Sequence, residues 1–183
     1  MHGSTADMFL KKVYLVAQTA SMSNAKKEEY RKLVLSPFFK AGLLKVLPMA
    51  GIAGLKITEL DEQQCKVTVP YKYINKNPFN TTYWAVLGMA AEMASGALVQ
   101  MYTHKCQPSV SMFVTGCDAK FIKRATGLTT FVCNDGQIVA DAVEKAISTK
   151  EGQKIVNNVK GYDKNGELLA DFNFEWSIKA RSK

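Results

Sequence analysis

The residue with the clearest chemical potential is Glu92, a lone carboxylate inside the most apolar stretch of the chain, "WAVLGMAAEMASGALVQMY". A helical repeat of about 100° per residue places small or slender residues beside it, namely Ala85, Gly88, Gly96 and Val99. A buried, unpaired carboxylate is costly, so Glu92 must be paired, protonated or open to a ligand cavity. The pattern therefore leaves two interpretations, a structural acid or a catalytic acid beside a narrow crevice.

Polar residues flank this segment on both sides. The preceding loop, "NPFNTT", carries Asn77, Asn80 and Thr82, which can orient a carbonyl group or a water molecule. Asn residues in loops also form turns and caps without any further role. Farther along, Lys123 and Arg124 lie in "AKFIKRATG", where they are either phosphate contacts or ordinary surface charge.

Composition excludes several function classes. The four cysteines, at irregular spacing and with no CxxC pair, and the two histidines do not form a zinc pattern, so we expect no metal and no cofactor. The net charge is +8, but no Arg-rich run or recognition helix accompanies it, and we expect no nucleic-acid partner. Cysteines of this kind are typical of reduced core residues, which favours a cytoplasmic location.

The apolar segment is long enough to suggest a transmembrane helix, since about 20 residues span a bilayer. Glu92 near its centre opposes that interpretation, because an acidic group is costly at that depth. The amphipathic strands that follow also need water on one side. We therefore predict no transmembrane span.

Periodicity divides the chain into three parts. Residues 1–21 are expected to be a leader or disordered extension, and residues 22–50 to form helices that pack on the main domain. Within that second part, "AKKEEYRKLVLS" predicts one helix, and "PFFKAGLLKVLP" predicts another that Pro48 ends. Residues 51–183 form the main domain.

The main domain alternates between two periodicities. A period of two predicts strands over "LKITEL", "CKVTVPYKY", "VSMFVTGCDAKF", "LTTFVCND", "GQKIVNNVKGY" and residues 170–179, with a bulge at Thr115-Gly116. A helical period predicts a second helix over "DGQIVADAVEKAIS". The long helix that contains Glu92 is apolar almost all round, so a sheet must enclose it. We predict an α+β fold in which a curved antiparallel sheet wraps around one long central helix.

This order of elements, with "GMAAEMASG" in the helix and "AKFIKRATG" in the next strand, resembles the hotdog-fold thioesterase-like superfamily. The likeness is greatest to acyl-CoA thioesterases of the phenylacetate-pathway type and covers about residues 50–180. Phe121, Ile122, Lys123, Arg124, Ala125 and Gly127 are similar to a pattern that follows the helix in that family. Glu92 stands nine residues after Tyr83, in the position of the family acid, whereas Tyr83, Trp84 and Ala85 replace the usual His-Gly-Gly.

The resemblance implies hydrolysis of an acyl thioester such as acyl-CoA. Glu92 would act as general base or nucleophile, and N–H groups of the first helical turn would bind the carbonyl oxygen. Tyr83, Trp84 and Gly88 would then border the substrate, and Tyr83 would either offer its hydroxyl in place of the family His or simply pack. The resemblance also implies a homodimer, or a pair of dimers, with the crevice between protomers. Because His-Gly-Gly is absent, a non-catalytic acyl-CoA or lipid binder remains the alternative.

Overall fold

The computed structural model describes residues 23–181, and the expected leader at residues 1–21 lies outside them. The described chain begins with three helices: α1 over residues 23–35, α2 over Phe39–Val46 and α3 over Pro48–Ala53. Pro48 does not simply end α2, because it occupies the first turn of α3, where the N–H that proline lacks needs no partner. Helix α3 therefore extends to Ala53, three residues into the part of the chain that we expected to form the main domain.

Six strands form one antiparallel sheet in the order β1-β2-β4-β5-β6-β3. Their bounds are Lys56–Leu60 (β1), Cys65–Val69 (β2), Val110–Phe121 (β3), Thr129–Cys133 (β4), Gln153–Tyr162 (β5) and Leu168–Ala180 (β6). The long central helix α4 covers Trp84–Thr103, and α5 covers Gly136–Thr149. The predicted α+β class is confirmed.

Helix α4 forms the centre of the core. It contacts all six strands, and twelve of its twenty residues are buried. The sheet turns alternate side chains of β6 toward it, as the sequence predicts: Ala170, Phe172, Phe174, Trp176 and Ile178 are all buried. Enclosing an apolar helix in this way removes from water the surface that contributes most to folding.

Two local predictions have different outcomes. The bulge in β3 is confirmed, since the register with β6 shifts between Val114 and Gly116. The long second strand is wrong at its end, because β2 stops at Val69 and Tyr73 begins a short 3₁₀ helix that ends at Asn75. Pro70 has no N–H to donate to a neighbouring strand, which explains the early stop.

The prediction on membrane spans concerns α4 above all. Among residues 23–181, no helix combines the length and the apolar character needed to cross a bilayer. The same part of the chain contains no group of three or more His, Cys, Asp or Glu side chains placed to hold a metal ion.

A close contact between a glycine and an aromatic ring joins β4 and β5. A Cβ atom added at Gly161 would lie 2.5 Å from the ring of Phe131, which is fully buried. We expect Gly161→Ala to lower the free energy of unfolding by about 1–3 kcal/mol, because the ring has no room to move. Urea denaturation measures this change, and Gly127→Ala is the control, since a Cβ there meets nothing within 4 Å. Equal stability of the two variants would contradict the packing.

Candidate functional site

Glu92 opens onto a cavity of about 130 Å³ beside the middle of α4. Its walls are mostly apolar and come from α1, α2, β1, β3, β6 and α4 itself, and the Tyr30 hydroxyl and Gln100 are polar groups beside Glu92. Phe39, Leu43, Met112 and Trp176 are among the apolar side chains that line it. The carboxylate thus stands at one of the few places on α4 that the sheet leaves uncovered.

Small residues and one tryptophan shape the wall next to Glu92. A Cβ atom added at Gly96 would lie 3.2 Å from the Trp176 ring and 3.9 Å from Glu92 Oε1. The Trp176 indole N–H donates to Ser95 Oγ at 3.2 Å, and this hydroxyl donates to the Glu92 carbonyl oxygen at 3.1 Å. The backbone that carries the carboxylate is therefore fixed by a buried polar chain, while the side chain itself stays free to face the cavity.

The carboxyl group of Glu92 has no hydrogen-bond or ion-pair partner among the side chains that the structure describes, which are those of residues 23–181 except Lys40. Glu92 is an exposed residue in the single chain, not the buried one that the sequence suggests. The side chains around the cavity still desolvate part of its carboxyl group, and this raises its pKa. Of the three situations expected for a carboxylate here, pairing within the described chain is therefore excluded. A raised pKa and an open face are the properties of a general base or acid.

A second cavity, of about 420 Å³, lies at the N-terminus of α4. Thr82 is buried in its wall, and the Thr82 hydroxyl has no hydrogen-bond partner among the described residues. The first turn of α4 is not capped by the side chain of Tyr83. The Val86 N–H donates to the Tyr83 carbonyl, but the N–H groups of Trp84 and Ala85 have no acceptor among the described residues, so they and the positive end of the helix dipole are available to an acceptor. This end of the helix can hold a carbonyl oxygen or an anion.

Two basic residues line the same cavity, and they differ in their surroundings. Lys123 forms an ion pair with Glu167, which neutralises much of its charge. Arg124 is exposed and forms no ion pair with any residue in the range 23–181. Of the two, Arg124 is therefore the better phosphate contact.

The loop before α4 is held by its own polar residues. Asn77 Oδ1 accepts the backbone N–H groups of Phe79 and Thr81, a local turn of the kind that Asn commonly forms. Asn80 has φ of 56°, in the left-handed region, and its carbonyl accepts the hydroxyl of Tyr71. Both residues thus have structural tasks that shape the loop.

The structure brings five of the residues singled out from the sequence to one cavity: Asn77, Thr82, Trp84, Lys123 and Arg124. The cause is one long-range hydrogen bond, in which the Thr82 N–H donates to the Ala125 carbonyl at 2.8 Å and joins the start of α4 to the segment after β3. Asn80 and Tyr83 are not among the residues that line this cavity, and Glu92 lines the other one.

Gly88 lies between the two cavities, one turn from Glu92 on the same side of α4. Ala85 and Gly88 are only half-buried, and a Cβ atom at Gly88 would meet nothing closer than the Phe172 ring at 3.9 Å. No large side chain of α4 itself therefore stands at these two positions between the helix start and the carboxylate. From Trp84 to Glu92 the helix rises about 12 Å.

Several residues that build the site were not singled out from the sequence. Asn75 is buried, its amide donates to the carbonyls of Ala53 and Pro70, and its own carbonyl accepts the Tyr83 N–H at 2.7 Å. It therefore fixes the start of α4, yet nothing in "YINKN" distinguishes it from its neighbours. Trp176 is another such residue. Its place in the alternation of β6 predicts a side chain that faces the core, and this alternation is the sequence feature that points to its contact with α4.

A family model described as "Domain of unknown function (DUF4442)" matches residues 36–178. No curated protein matches the chain in sequence. Three solved structures show how far the likeness in fold extends. A protein of unknown function from Pseudomonas aeruginosa, described as a probable thioesterase, is 17% identical with a TM-score of 0.68, covering 84% of this chain and 95% of that one.

A protein of unknown function from Chlorobaculum tepidum is 22% identical with a TM-score of 0.66, over 78% of this chain and 92% of that one. A thioesterase from Haemophilus influenzae is 11% identical with a TM-score of 0.57, over 72% and 82%. At such identities the likeness concerns the fold, and it confirms the predicted hotdog arrangement.

The raised pKa of Glu92 has a consequence for stability. Because the folded protein holds this proton more tightly than the unfolded chain, the stabilisation is present at low pH and is lost as the pH rises through the folded pKa. We expect Glu92→Gln, which cannot ionise, to gain in free energy of unfolding relative to wild type as the pH rises from about 4 to about 8. Urea denaturation of both proteins across this range measures the difference, and a difference that does not change with pH would contradict the desolvated carboxyl.

Proposed function

Because the chain belongs to the DUF4442 family, whose description gives no activity, we propose from its site that the protein hydrolyses acyl thioesters, with acyl-CoA as the substrate class. The observation that carries the proposal is the Glu92 carboxyl, which lacks a partner in the described chain, faces a cavity and has a raised pKa. The names of two proteins of similar fold, the probable thioesterase from P. aeruginosa and the thioesterase from H. influenzae, agree with this chemistry.

Glu92 acts on a water molecule in this proposal. Its carboxylate takes a proton while the water oxygen bonds to the thioester carbon, and the carbonyl electrons move to oxygen. Collapse of this intermediate breaks the carbon–sulfur bond, and the thiolate takes the proton back from Glu92. A direct attack by the carboxylate, which forms an anhydride and releases the thiolate, needs the same placement of the group.

The N-terminus of α4 stabilises the oxyanion. Uncapped N–H groups and the helix dipole meet the negative charge that develops on the carbonyl oxygen. The Thr82 hydroxyl, buried without a described partner, is a further donor in the same cavity. Arg124 stands at the rim, where it contacts a phosphate group of coenzyme A.

One chain does not bring these groups together. The helix start and Glu92 are about 12 Å apart along α4, whereas both must lie about 3 Å from the reacting atoms. The two groups that act on one thioester therefore come from two copies of the chain, with the helix start of one facing Glu92 of the other. This requirement supports the homodimer that the hotdog resemblance implies.

Strand β3 is the edge that would join the two copies. It has twelve residues and pairs with β6 on one side only, and the aromatic side chain of Phe113 is 70% exposed. A long, exposed edge of this kind favours pairing with another strand. Two copies paired along β3 form one continuous sheet and bring their α4 helices side by side.

A non-catalytic binder of acyl-CoA is the second candidate, and one observation favours it. Trp84 lines the cavity at the helix start, at a position where the hotdog thioesterases that the sequence resembles usually carry glycine. A side chain of this size narrows the approach of a thioester to the backbone N–H groups. The two candidates differ in turnover, not in binding.

The activity is tested by thiol release from a panel of short-, medium-, long-chain and aryl acyl-CoA substrates. We expect wild type to hydrolyse at least one of them, and Glu92→Gln to lower kcat by about 10²–10⁴, because the amide accepts no proton from water. The wild-type rate should also fall as the pH drops through the raised pKa of Glu92.

Glu144→Gln is the matched control, since Glu144 is an exposed helical residue on α5. It should retain the wild-type rate. Acyl-CoA binding without thiol release by wild type would favour the binder, and equal turnover by wild type and Glu92→Gln would exclude Glu92 as the base.

The oligomeric state is a separate prediction. Light scattering after size exclusion should give at least twice the chain's 20.2 kDa. We expect Phe113→Lys to shift the protein toward monomer and to abolish hydrolysis, because like charges meet across the paired edges. Val156→Lys is the control, since Val156 is exposed but lies on β5, inside the sheet. A fully active wild-type monomer would contradict the shared site.

A further inference from the structure

Helices α2 and α3, together with the residue before α2, present an apolar surface to solvent. We define it as the outer face of α2–α3, formed by Phe38, Leu44, Val46, Leu47, Met49 and Ile52. All six are exposed, Phe38 by 84% and Val46 by 75%. Contiguous exposed apolar surface of this kind marks an interaction site in most proteins.

Other apolar side chains of α2 face the interior. Phe39 and Leu43 lie against the Glu92 cavity, and Leu43 is buried. Val46 follows Phe39 by seven residues and so lies on the same side of α2, yet it is 75% exposed because the core does not reach the end of the helix. None of the side chains that the structure describes covers the six residues of the outer face.

The charge around this face indicates what covers it. Between Tyr30 and Thr58 the sequence has five basic residues and no acidic one. The five are Arg31, Lys32, Lys40, Lys45 and Lys56, of which Arg31 and Lys32 pair with Glu28 on α1. Lys45, in the last turn of α2, and Lys56, at the start of β1, form no ion pair within the described chain.

We propose that the outer face of α2–α3 docks onto an anionic lipid surface. Phe38, Val46 and Met49 enter the boundary between headgroups and acyl chains, while lysines at the rim contact the negatively charged headgroups. Apolar residues next to basic ones, without an acid between them, are the combination that such surfaces attract. Two copies paired through this face would bring like charges together, which disfavours the face as a self-contact.

The docked face would be next to the Glu92 cavity. Leu47 belongs to the outer face and also lines that cavity, so the two share this side chain. Docking thus places the cavity where molecules with long acyl chains are concentrated. The proposal goes beyond the hydrolysis proposed above and does not depend on it.

Sedimentation of the full chain with vesicles tests the proposal. We expect binding to vesicles of phosphatidylcholine with phosphatidylglycerol, much weaker binding to phosphatidylcholine alone, and a loss of binding as salt is raised. Phe38→Asp should lower the partition coefficient for the anionic vesicles by about tenfold or more, because it replaces the most exposed apolar residue by a charge that the headgroups repel.

The matched control is Ile138→Asp, which changes an exposed apolar residue in the first turn of α5. Phe38 precedes the first turn of α2, so both variants place aspartate at a helix N-terminus, where it is well tolerated. A second pair, Lys45→Glu against Lys145→Glu on α5, changes the net charge equally and should weaken binding only at Lys45.

Three outcomes would overturn the proposal. The first is absence of wild-type binding to both kinds of vesicle, and the second is equal partition by Phe38→Asp and Ile138→Asp. The third combines two results: wild type does not bind either kind of vesicle, and Phe38→Asp melts at a lower temperature than Ile138→Asp. This combination would mean that the protein itself, or a second copy, covers this face.

Discussion

A sheet can enclose an apolar helix on every side only if the helix carries no charge, and Glu92 prevents that closure. Its carboxylate needs water, a partner or a ligand, because burial without one is costly. The protein keeps one side of α4 accessible at this residue and covers the others with the sheet, α5 and the N-terminal helices. The cavity, the small residues beside Glu92 and the hydrogen bonds of Trp176 and Ser95 are all arranged around that one carboxylate.

Local patterns were sufficient to predict most of the fold. The alternation along β6 identified the residues that face α4, because the side-chain period of a strand is independent of its partners. The change of parity at Thr115-Gly116 located the bulge in β3 for the same reason. Helix α3 was missed because "PMAGIA" is only six residues long and shows no clear helical period. In the sequence, Tyr71 and Tyr73 continue the alternating pattern of β2. In the structure, the strand ends at Val69, immediately before Pro70.

The site was less accessible to sequence analysis, since long-range contacts assemble it. The residue types at Asn77, Thr82, Lys123 and Arg124 suggested binding, but only the hydrogen bond from Thr82 to Ala125 explains why they share a cavity. The walls around Glu92 come from α1, α2, β1, β3 and β6, and no spacing along the chain predicts that set. Glu92 itself was singled out as a charge within the apolar segment, and the resemblance to hotdog thioesterases places it at the acidic position of that pattern, because both arguments depend on order and spacing within one helix.

The length of α4 relates the chemistry to assembly. Eight residues separate the helix start from Glu92, and the helical rise makes this about 12 Å whatever the side chains do. A thioester held by the N–H groups of one α4 therefore lies beyond the reach of the carboxylate on the same helix. In the proposed reaction, a single chain therefore carries two half-sites, the N-terminus of α4 and the Glu92 carboxylate. Pairing along the exposed edge of β3 would bring the helix start of one copy to Glu92 of the other and would complete the proposed site.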